Sequence, residues 1–116
     1  QFNLPESDIG YTEVLGKVIR DFHGWQVRYG GGIGGLTIPL TKFIQRQNTN
    51  RYADYNILGH YHQLSLPTKD CLLNGSLCGF DTFAQSIGAS KEPALQGYRL
   101  LDSKYGFSGF NPIICE

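Results

Sequence analysis

Apolar residues recur at intervals of three and four positions in the first part of the chain. They are Tyr11, Val14, Leu15, Val18, Ile19 and Phe22. This spacing places them on one face, so it predicts an amphipathic helix over residues 11–22 that His23-Gly24 would end. Apolar and polar residues then alternate over 25–29, which predicts a short strand.

A glycine-rich segment separates this strand from a second predicted helix. Residues 30–35 contain five glycines, which is typical of a loop with positive φ angles. Pro39 suits the first position of a helix, and an apolar stripe continues to Gln47. Residues 54–58 then predict a strand that ends at Gly59.

The rest of the chain has short apolar runs that are separated by turn signals. Residues 81–86 predict one or two helical turns. Residues 95–101 and 110–115 predict a closing antiparallel pair, with Pro112 on an edge strand. The predicted fold class is therefore α/β, in the order α-β-α-β followed by antiparallel strands, within a single domain over residues 1–116.

Composition and charge exclude several classes of protein. The 116 residues are 41% hydrophobic and 17% charged, which is typical of a folded domain and not of a disordered one. Ten basic residues balance ten acidic ones, so charge does not favour an anionic partner. The longest apolar runs are too short for a membrane span, which predicts no membrane partner. Three cysteines do not form a disulfide framework, so we expect a reducing, cytoplasmic location.

The candidate chemistry lies at the end of the strand predicted over 54–58. His60 and His62 follow Gly59 at an interval of two residues. In extended backbone this interval directs both side chains to the same face, while Tyr61 points inward. Neutral imidazole binds zinc, iron, manganese and nickel, so the pair predicts metal ligands.

Residues 53–63, a strand followed by Gly59-His60-Tyr61-His62, resemble the last motif of calcineurin-like metallophosphoesterases. The Asn74-Gly75-Ser76 turn resembles the Gly-Ser turn that follows this motif in the family. Upstream, the family has a strand, a His-Gly loop and a helix, and residues 25–47 follow that order. The likeness covers residues 11–116 and is greatest to phage and bacterial members, some of them related to DNA repair nucleases. It implies the C-terminal half of a layered metallophosphoesterase-like sheet.

The resemblance implies a hydrolase that uses two divalent ions, Mn, Fe or Zn, to cleave a phosphoester substrate. It assigns His60 to one ion and His62 to the other, with the Asn74-Gly75-Ser76 turn as structural support. Nucleic acid is implied as a substrate only.

The chain departs from the family pattern at three places. The His-Gly loop would fall on Tyr29-Gly30, as an active-site loop in which tyrosine is a poor metal ligand. The sequence has neither Gly-Asp-x-x-Asp nor Gly-Asn-His. The opening Asp-x-His is absent unless Asp21-x-His23 supplies it, which would require a strand over 14–20. We therefore expect an incomplete site, active only where a second chain supplies the N-terminal half.

Three other functions remain open. Gly30-x-Gly32-x-x-Gly35 matches a dinucleotide-binding loop between a predicted strand and a predicted helix, which makes a nucleotide-binding module an alternative. A structural zinc module would use the histidine pair with Cys71 and Cys78. The domain would otherwise be a non-enzymatic binding domain derived from a phosphoesterase.

Overall fold

The computed structural model describes residues 8–28, 35–86 and 91–115. These residues form an α/β fold in which a five-stranded mixed sheet carries one long helix, and a separate hairpin follows. The α/β class is therefore confirmed, whereas the predicted order α-β-α-β is wrong, because the described chain begins β-β-α-β. The elements are β1 (Ile9–Val14), β2 (Lys17–Phe22), α1 (Thr37–Asn50), β3 (Tyr55–Leu58), β4 (Ser65–Thr68), β5 (Cys71–Leu73), α2 (Thr82–Ser86), β6 (Leu95–Asp102) and β7 (Gly106–Ile114).

The helix predicted over residues 11–22 is wrong, because these residues form the antiparallel hairpin β1–β2. Two residues join the strands, Leu15 with a φ of 50° and Gly16 with a φ of 76°. Positive φ at both positions is the type I′ turn, whose twist fits an antiparallel hairpin and through which no helix can continue. The β-branched residues Val18 and Ile19 favour strands, and this preference outweighs the helical spacing.

The strand predicted over residues 25–29 is also wrong for the residues that the structure describes. The N–H of Val27 donates to the carbonyl of Gly24 at 3.1 Å, which closes a turn directly after β2. The Val27 side chain is buried in the core. Tyr29 and Gly30 lie outside the described residues.

The later elements follow the prediction closely. α1 begins at Thr37, two residues before Pro39, and β3 ends at Leu58 as expected. The predicted closing pair is the hairpin β6–β7. None of the described helices is long and apolar enough to cross a membrane.

Strand order places the ends of three strands together. The sheet order is β1-β2-β3-β5-β4, with β2 parallel to β3 and β3 parallel to β5. α1 connects β2 to β3, and its buried residues Leu40 and Phe43 cover the sheet, with the Phe43 ring centroid 5.2 Å from that of Phe22. The carboxyl ends of β2, β3 and β5 consequently meet at one edge of the sheet.

The hairpin β6–β7 attaches to the amino end of β3. The ring of Tyr55 stacks on the ring of Phe107 with a centroid distance of 3.9 Å. The Tyr55 hydroxyl also accepts a hydrogen bond from the N–H of Phe107 at 3.1 Å. The β7 end of the hairpin is therefore held at the end of β3 that is remote from the carboxyl edge of the sheet.

Candidate functional site

The carboxyl edge of the parallel strands carries the candidate chemistry. His23 follows β2, Gly59 follows β3 and Asn74 follows β5. Crevices outside the carboxyl ends of parallel strands are the usual ligand sites of α/β sheets. A cleft of about 390 Å³ opens at this edge. Its lining includes Asp8, Gly10, Asp21, His23, Gly59 and Asn74.

His23 and His60 face each other beside this cleft. Their ring centroids lie 5.0 Å apart, with an angle of 71° between the ring planes. Both side chains are exposed. The N–H of Gly59 donates to the carbonyl oxygen of His23 at 3.0 Å, so a backbone hydrogen bond joins the two loops that carry the rings.

The predicted extended geometry of the His-x-His segment is wrong. β3 ends at Leu58, and both histidines lie in the following loop, His60 with a φ of 73° and His62 with a φ of 57°. Residues other than glycine seldom adopt positive φ, which costs about 1–3 kcal/mol and is concentrated at functional sites. The directions of the two imidazoles are therefore set by a tight turn and not by the side-chain alternation of a strand.

Tyr61 points inward, as predicted. Its ring packs against the core cluster. Its hydroxyl lies 2.9 Å from the carbonyl oxygen of Val27 and 3.2 Å from that of Gly24. The loop after β3 is therefore fastened to the turn after β2 by a side chain as well as by the backbone.

Partial burial lowers the pKa of His60 below its usual value, and the charges of His23 and His62 lower it further. The neutral imidazole, which has a free lone pair, is the form that binds a metal ion. His60 is thus held in its ligand form at neutral pH. The Nδ1 atom of the neighbouring His62 is buried.

Two carboxylates contribute negative charge to the cleft. Asp8 and Asp21 both line it, and both side chains are exposed. Gly10 pairs with Asp21 across the β1–β2 hairpin. A Cβ atom on Gly10 would lie 2.7 Å from an Asp21 carboxylate oxygen, so the glycine leaves the space that this carboxylate occupies.

The histidines do not complete a metal site by themselves. Within residues 8–28, 35–86 and 91–115, no group of three or more His, Cys, Asp or Glu side chains is arranged to hold a metal ion. The structure brings His60 next to His23, and it places His62 near enough for its charge to lower the pKa of His60. Tyr29 and Gly30, the predicted active-site loop, lie outside the described residues.

Sequence reasoning brings His23 to a metal site only through the Asp21-x-His23 alternative, and not as the His-Gly loop beside His60. The signal was present, because His23-Gly24 is itself a His-Gly pair that is followed by α1, β3 and Gly59-His60. The His-Gly interpretation is missed because residues 11–22 are predicted as a helix, which leaves no strand before His23. The Asp21-x-His23 alternative requires a strand over 14–20, whereas β2 covers Lys17–Phe22 and follows a turn at residues 15–16.

Asn74 supports the structure around the cleft. Its Nδ2 donates to the Gln96 side chain at 2.8 Å, and its Oδ1 accepts from the N–H of Gly97 at 2.9 Å and from that of Gly75 at 3.1 Å. These bonds connect the turn after β5 to β6.

The other predicted sites are not supported by the described residues. Cys71 is fully buried in β5, where burial and the charge of Asp70 raise the pKa of its thiol to about 12. Cys71 accordingly packs as a residue of the core cluster. Of the Gly30-x-Gly32-x-x-Gly35 loop, Gly30 and Gly32 lie outside the described residues, and residues 25–28, where the preceding strand was predicted, form a turn.

Comparison with known proteins gave no relative for this chain. No family model matches the sequence, and neither a curated protein nor a solved structure matches it.

Proposed function

We propose that this chain supplies histidine ligands to a divalent-metal site that hydrolyses phosphoesters. The observation that supports the proposal is the pairing of His23 and His60 at the carboxyl ends of adjacent parallel strands, with ring centroids 5.0 Å apart.

The distance between the rings fits two ligands of one ion. Metal–nitrogen bonds of about 2.1 Å and a tetrahedral angle place the ring centroids of two ligating imidazoles about 5 Å apart. Manganese, iron and zinc all accept imidazole, and His60 is held neutral by its lowered pKa. Donor type, spacing and protonation therefore agree with shared binding of one ion.

The order of elements also supports the proposal. In the family that the sequence resembles, the calcineurin-like metallophosphoesterases, a strand, a His-Gly loop and a helix precede the strand that ends in Gly-His-x-His. Here β2, His23-Gly24, α1, β3 and Gly59-His60 occur in that order. We therefore assign the His-Gly loop to His23-Gly24 in place of Tyr29-Gly30, and the ligand that Tyr29 could not supply is provided by His23.

Two imidazoles bind an ion weakly, because affinity depends on the number of ligands in a preformed site. The remaining ligands would come from a second chain or segment that supplies the N-terminal half of the layered sheet. His62 remains our predicted ligand of a second ion.

The charges of the cleft suit a cation-dependent reaction on an anionic substrate. The carboxylates of Asp8 and Asp21 line the cleft and would repel a phosphoester that approaches alone. A bound divalent ion would offset this charge, polarise the phosphoryl oxygen and lower the pKa of a coordinated water. His23 and His60 would hold that ion beside the cleft, and nucleic acid would enter only as a substrate.

A double-mutant cycle tests the shared ion. We would titrate Mn²⁺ and Co²⁺ into the wild type, His23→Ala, His60→Ala and the double variant, with Arg46→Ala, an exposed residue of α1, as control. If both rings hold one ion, each single variant loses most of the affinity and the double variant loses little more. Additive losses would show that the rings act independently, and unchanged affinity in all variants would refute the assignment.

A non-enzymatic binding domain is the second candidate. It is favoured by the lack of a three-ligand group among the described His, Cys, Asp and Glu side chains. Hydrolysis of bis(p-nitrophenyl) phosphate with Mn²⁺ tests whether the chain alone has activity. Turnover that is lost in His60→Ala supports the hydrolase and contradicts the binding domain, whereas metal binding without turnover is expected both of a binding domain and of a half-site that lacks its second chain.

A further inference from the structure

Tyr61 connects the two loops that carry His23 and His60, and we infer a role for it that rests on the proposed function. The residue lies between His60 and His62, and its ring meets the ring of His60 edge-on, with centroids 5.0 Å apart and an angle of 86°. Its side chain thus contacts one member of the histidine pair directly.

The Tyr61 hydroxyl bridges to the turn that follows His23. It lies 2.9 Å from the Val27 carbonyl oxygen and 3.2 Å from the Gly24 carbonyl oxygen, and both of these groups belong to the turn after β2. A phenol has one proton, so it donates to Val27 at the shorter distance and shares the proton with Gly24.

Val27, whose carbonyl oxygen accepts the hydrogen bond from Tyr61, is held in place by the core. Its side chain is 4% exposed and belongs to the core cluster that also contains Phe22 and Leu58, which end β2 and β3. Tyr61 packs against the same cluster. The hydroxyl therefore ties the loop after β3 to a point that cannot shift without disturbing the core.

The imidazoles themselves have little to orient them. Ligand histidines usually donate their second N–H to a carboxylate or carbonyl, which fixes the ring. The ring–ring contacts of this pair among the described residues are those of His23 with His60 and of His60 with Tyr61. The backbone of the two loops that carry the rings therefore contributes to their spacing, through the bond from the Gly59 N–H to the His23 carbonyl oxygen.

We propose that Tyr61 is a positioning residue, whose hydroxyl holds the turn of residues 24–27 against the loop of residues 59–62 and so sets the distance between the His23 and His60 rings. Burial also raises the pKa of Tyr61 above its usual value, so the phenol stays protonated as a donor at neutral pH.

Tyr61→Phe tests this role, because it keeps the ring and removes only the hydroxyl. Tyr55→Phe is the matched control, since it removes a tyrosine hydroxyl that accepts a hydrogen bond from Phe107 N–H at the other end of β3. In the metal-free wild type, NMR should show an NOE between the ring protons of His23 and His60. We expect Tyr61→Phe to lose this NOE while its circular dichroism is unchanged, and Tyr55→Phe to retain it.

Metal affinity provides the second measurement. We expect Mn²⁺ to bind Tyr61→Phe about 10-fold more weakly than the wild type, as is usual when a residue supporting a ligand is removed. Equal NOE intensity in Tyr61→Phe and the wild type would overturn the positioning role. A wild type that shows the NOE but binds no Mn²⁺ would refute the metal site and leave the Tyr61 bridge supported.

The hydrogen bond of the Tyr61 hydroxyl can also be tested in the wild type, without a variant. The bridge requires the Tyr61 hydroxyl proton to exchange slowly with water and to show an NOE to protons of residues 24–27. A fast-exchanging hydroxyl would contradict the bridge even if Tyr61→Phe failed to fold.

Discussion

Gly24 packs so closely against His60 that a Cβ atom on Gly24 would lie 3.0 Å from the Cβ atom of His60. The same atom would lie 3.0 Å from the carbonyl oxygen of Gly59. Gly24 also has a φ of 120°, which side chains other than hydrogen disfavour. A glycine at position 24 therefore has two effects. It permits the positive φ of the turn, and it leaves room for the close contact between the two loops.

Gly24→Ala should destabilise the chain and separate the two histidine rings. We expect a loss of about 2–4 kcal/mol in the free energy of unfolding, from positive-φ strain together with steric overlap. Urea denaturation would measure the loss, and Mn²⁺ titration would show weaker binding.

Gly16→Ala is the control for Gly24→Ala. Gly16 has a φ of 76°, but a Cβ atom there would meet no other atom within 4 Å. Its replacement should cost only the backbone strain of about 1–2 kcal/mol and should leave metal binding unchanged. Equal losses in the two variants would show that Gly24 does not need the close contact.

The sequence predicted the elements whose signals are local and consistent. α1 has a continuous apolar stripe, and β3 and the hairpin β6–β7 are bounded by clear turn residues. β1–β2 was mistaken for a helix because two strands joined by the two-residue turn Leu15-Gly16 can reproduce helical spacing. Both turn residues have positive φ, and a leucine at the first of these positions does not indicate such a turn.

The site was predicted in part for a related reason. His60 is predicted as a ligand from its own motif, but its neighbour His23 is 37 positions earlier in the sequence and becomes adjacent only because β2 and β3 are parallel. The backbone of the His-x-His segment was not foreseen either, since its two positive φ angles depend on packing against the turn after β2.

The lowered pKa of His60 should make stability depend on pH. As the pH falls through the ordinary value of 6.5, the unfolded chain takes up the proton before the folded chain does. Stability is therefore complete above 6.5 and is lost as the pH falls toward the lower pKa of the folded state. We expect urea unfolding in EDTA to show a smaller decrease for His60→Gln than for the wild type between about pH 7.5 and about pH 5.

Other groups titrate over the same range, so the comparison uses the difference between the two proteins. An equal decrease in His60→Gln and the wild type would mean that the environment of His60 does not disfavour its charge. A larger decrease in the variant would reverse the sign and would mean that protonation of His60 stabilises the fold.

The three thiols should react with a disulfide reagent at very different rates. Cys78 and Cys115 are exposed, whereas Cys71 is fully buried with its pKa raised to about 12. At neutral pH the thiolate fraction of Cys71 is then roughly 10³-fold below that of an ordinary thiol, whose pKa is about 8.5. We expect two thiols to react with Ellman's reagent in the native chain and the third only in urea.

Cys71→Ala identifies the slow thiol, because it should abolish the urea-dependent phase and leave both fast thiols. Three fast thiols in the native wild type would contradict the placement of β5 in the core. If Zn²⁺ protected both Cys78 and Cys71 from Ellman's reagent, this would support the structural zinc site.

Arg20 is a buried cation in β2, with 0% of its surface exposed. Its guanidinium donates to the side-chain oxygens of Asn56 at 2.9 Å and Asn48 at 2.8 Å, and its Nε lies 3.2 Å from the hydroxyl of Tyr11. It also donates to the carbonyl oxygen of Arg51. These bonds join β2 to β1, to β3 and to the end of α1, so Arg20 holds together the elements that position His23 and His60.

Arg20→Met should therefore be among the most destabilising single substitutions in this part of the chain. The methionine fills most of the volume but leaves the buried oxygen of Asn56 without its donor, and each lost hydrogen bond to a charged group costs about 1.5–3 kcal/mol. We expect a loss of about 3–5 kcal/mol in the free energy of unfolding by urea denaturation. Arg46→Met, on the exposed surface of α1, should change it by less than about 0.5 kcal/mol. The double variant Arg20→Met/Asn56→Leu should recover part of the lost stability, because it also removes the Asn56 oxygen that would otherwise be buried without a donor. A single variant as stable as the wild type would show that apolar packing alone holds β2 in place.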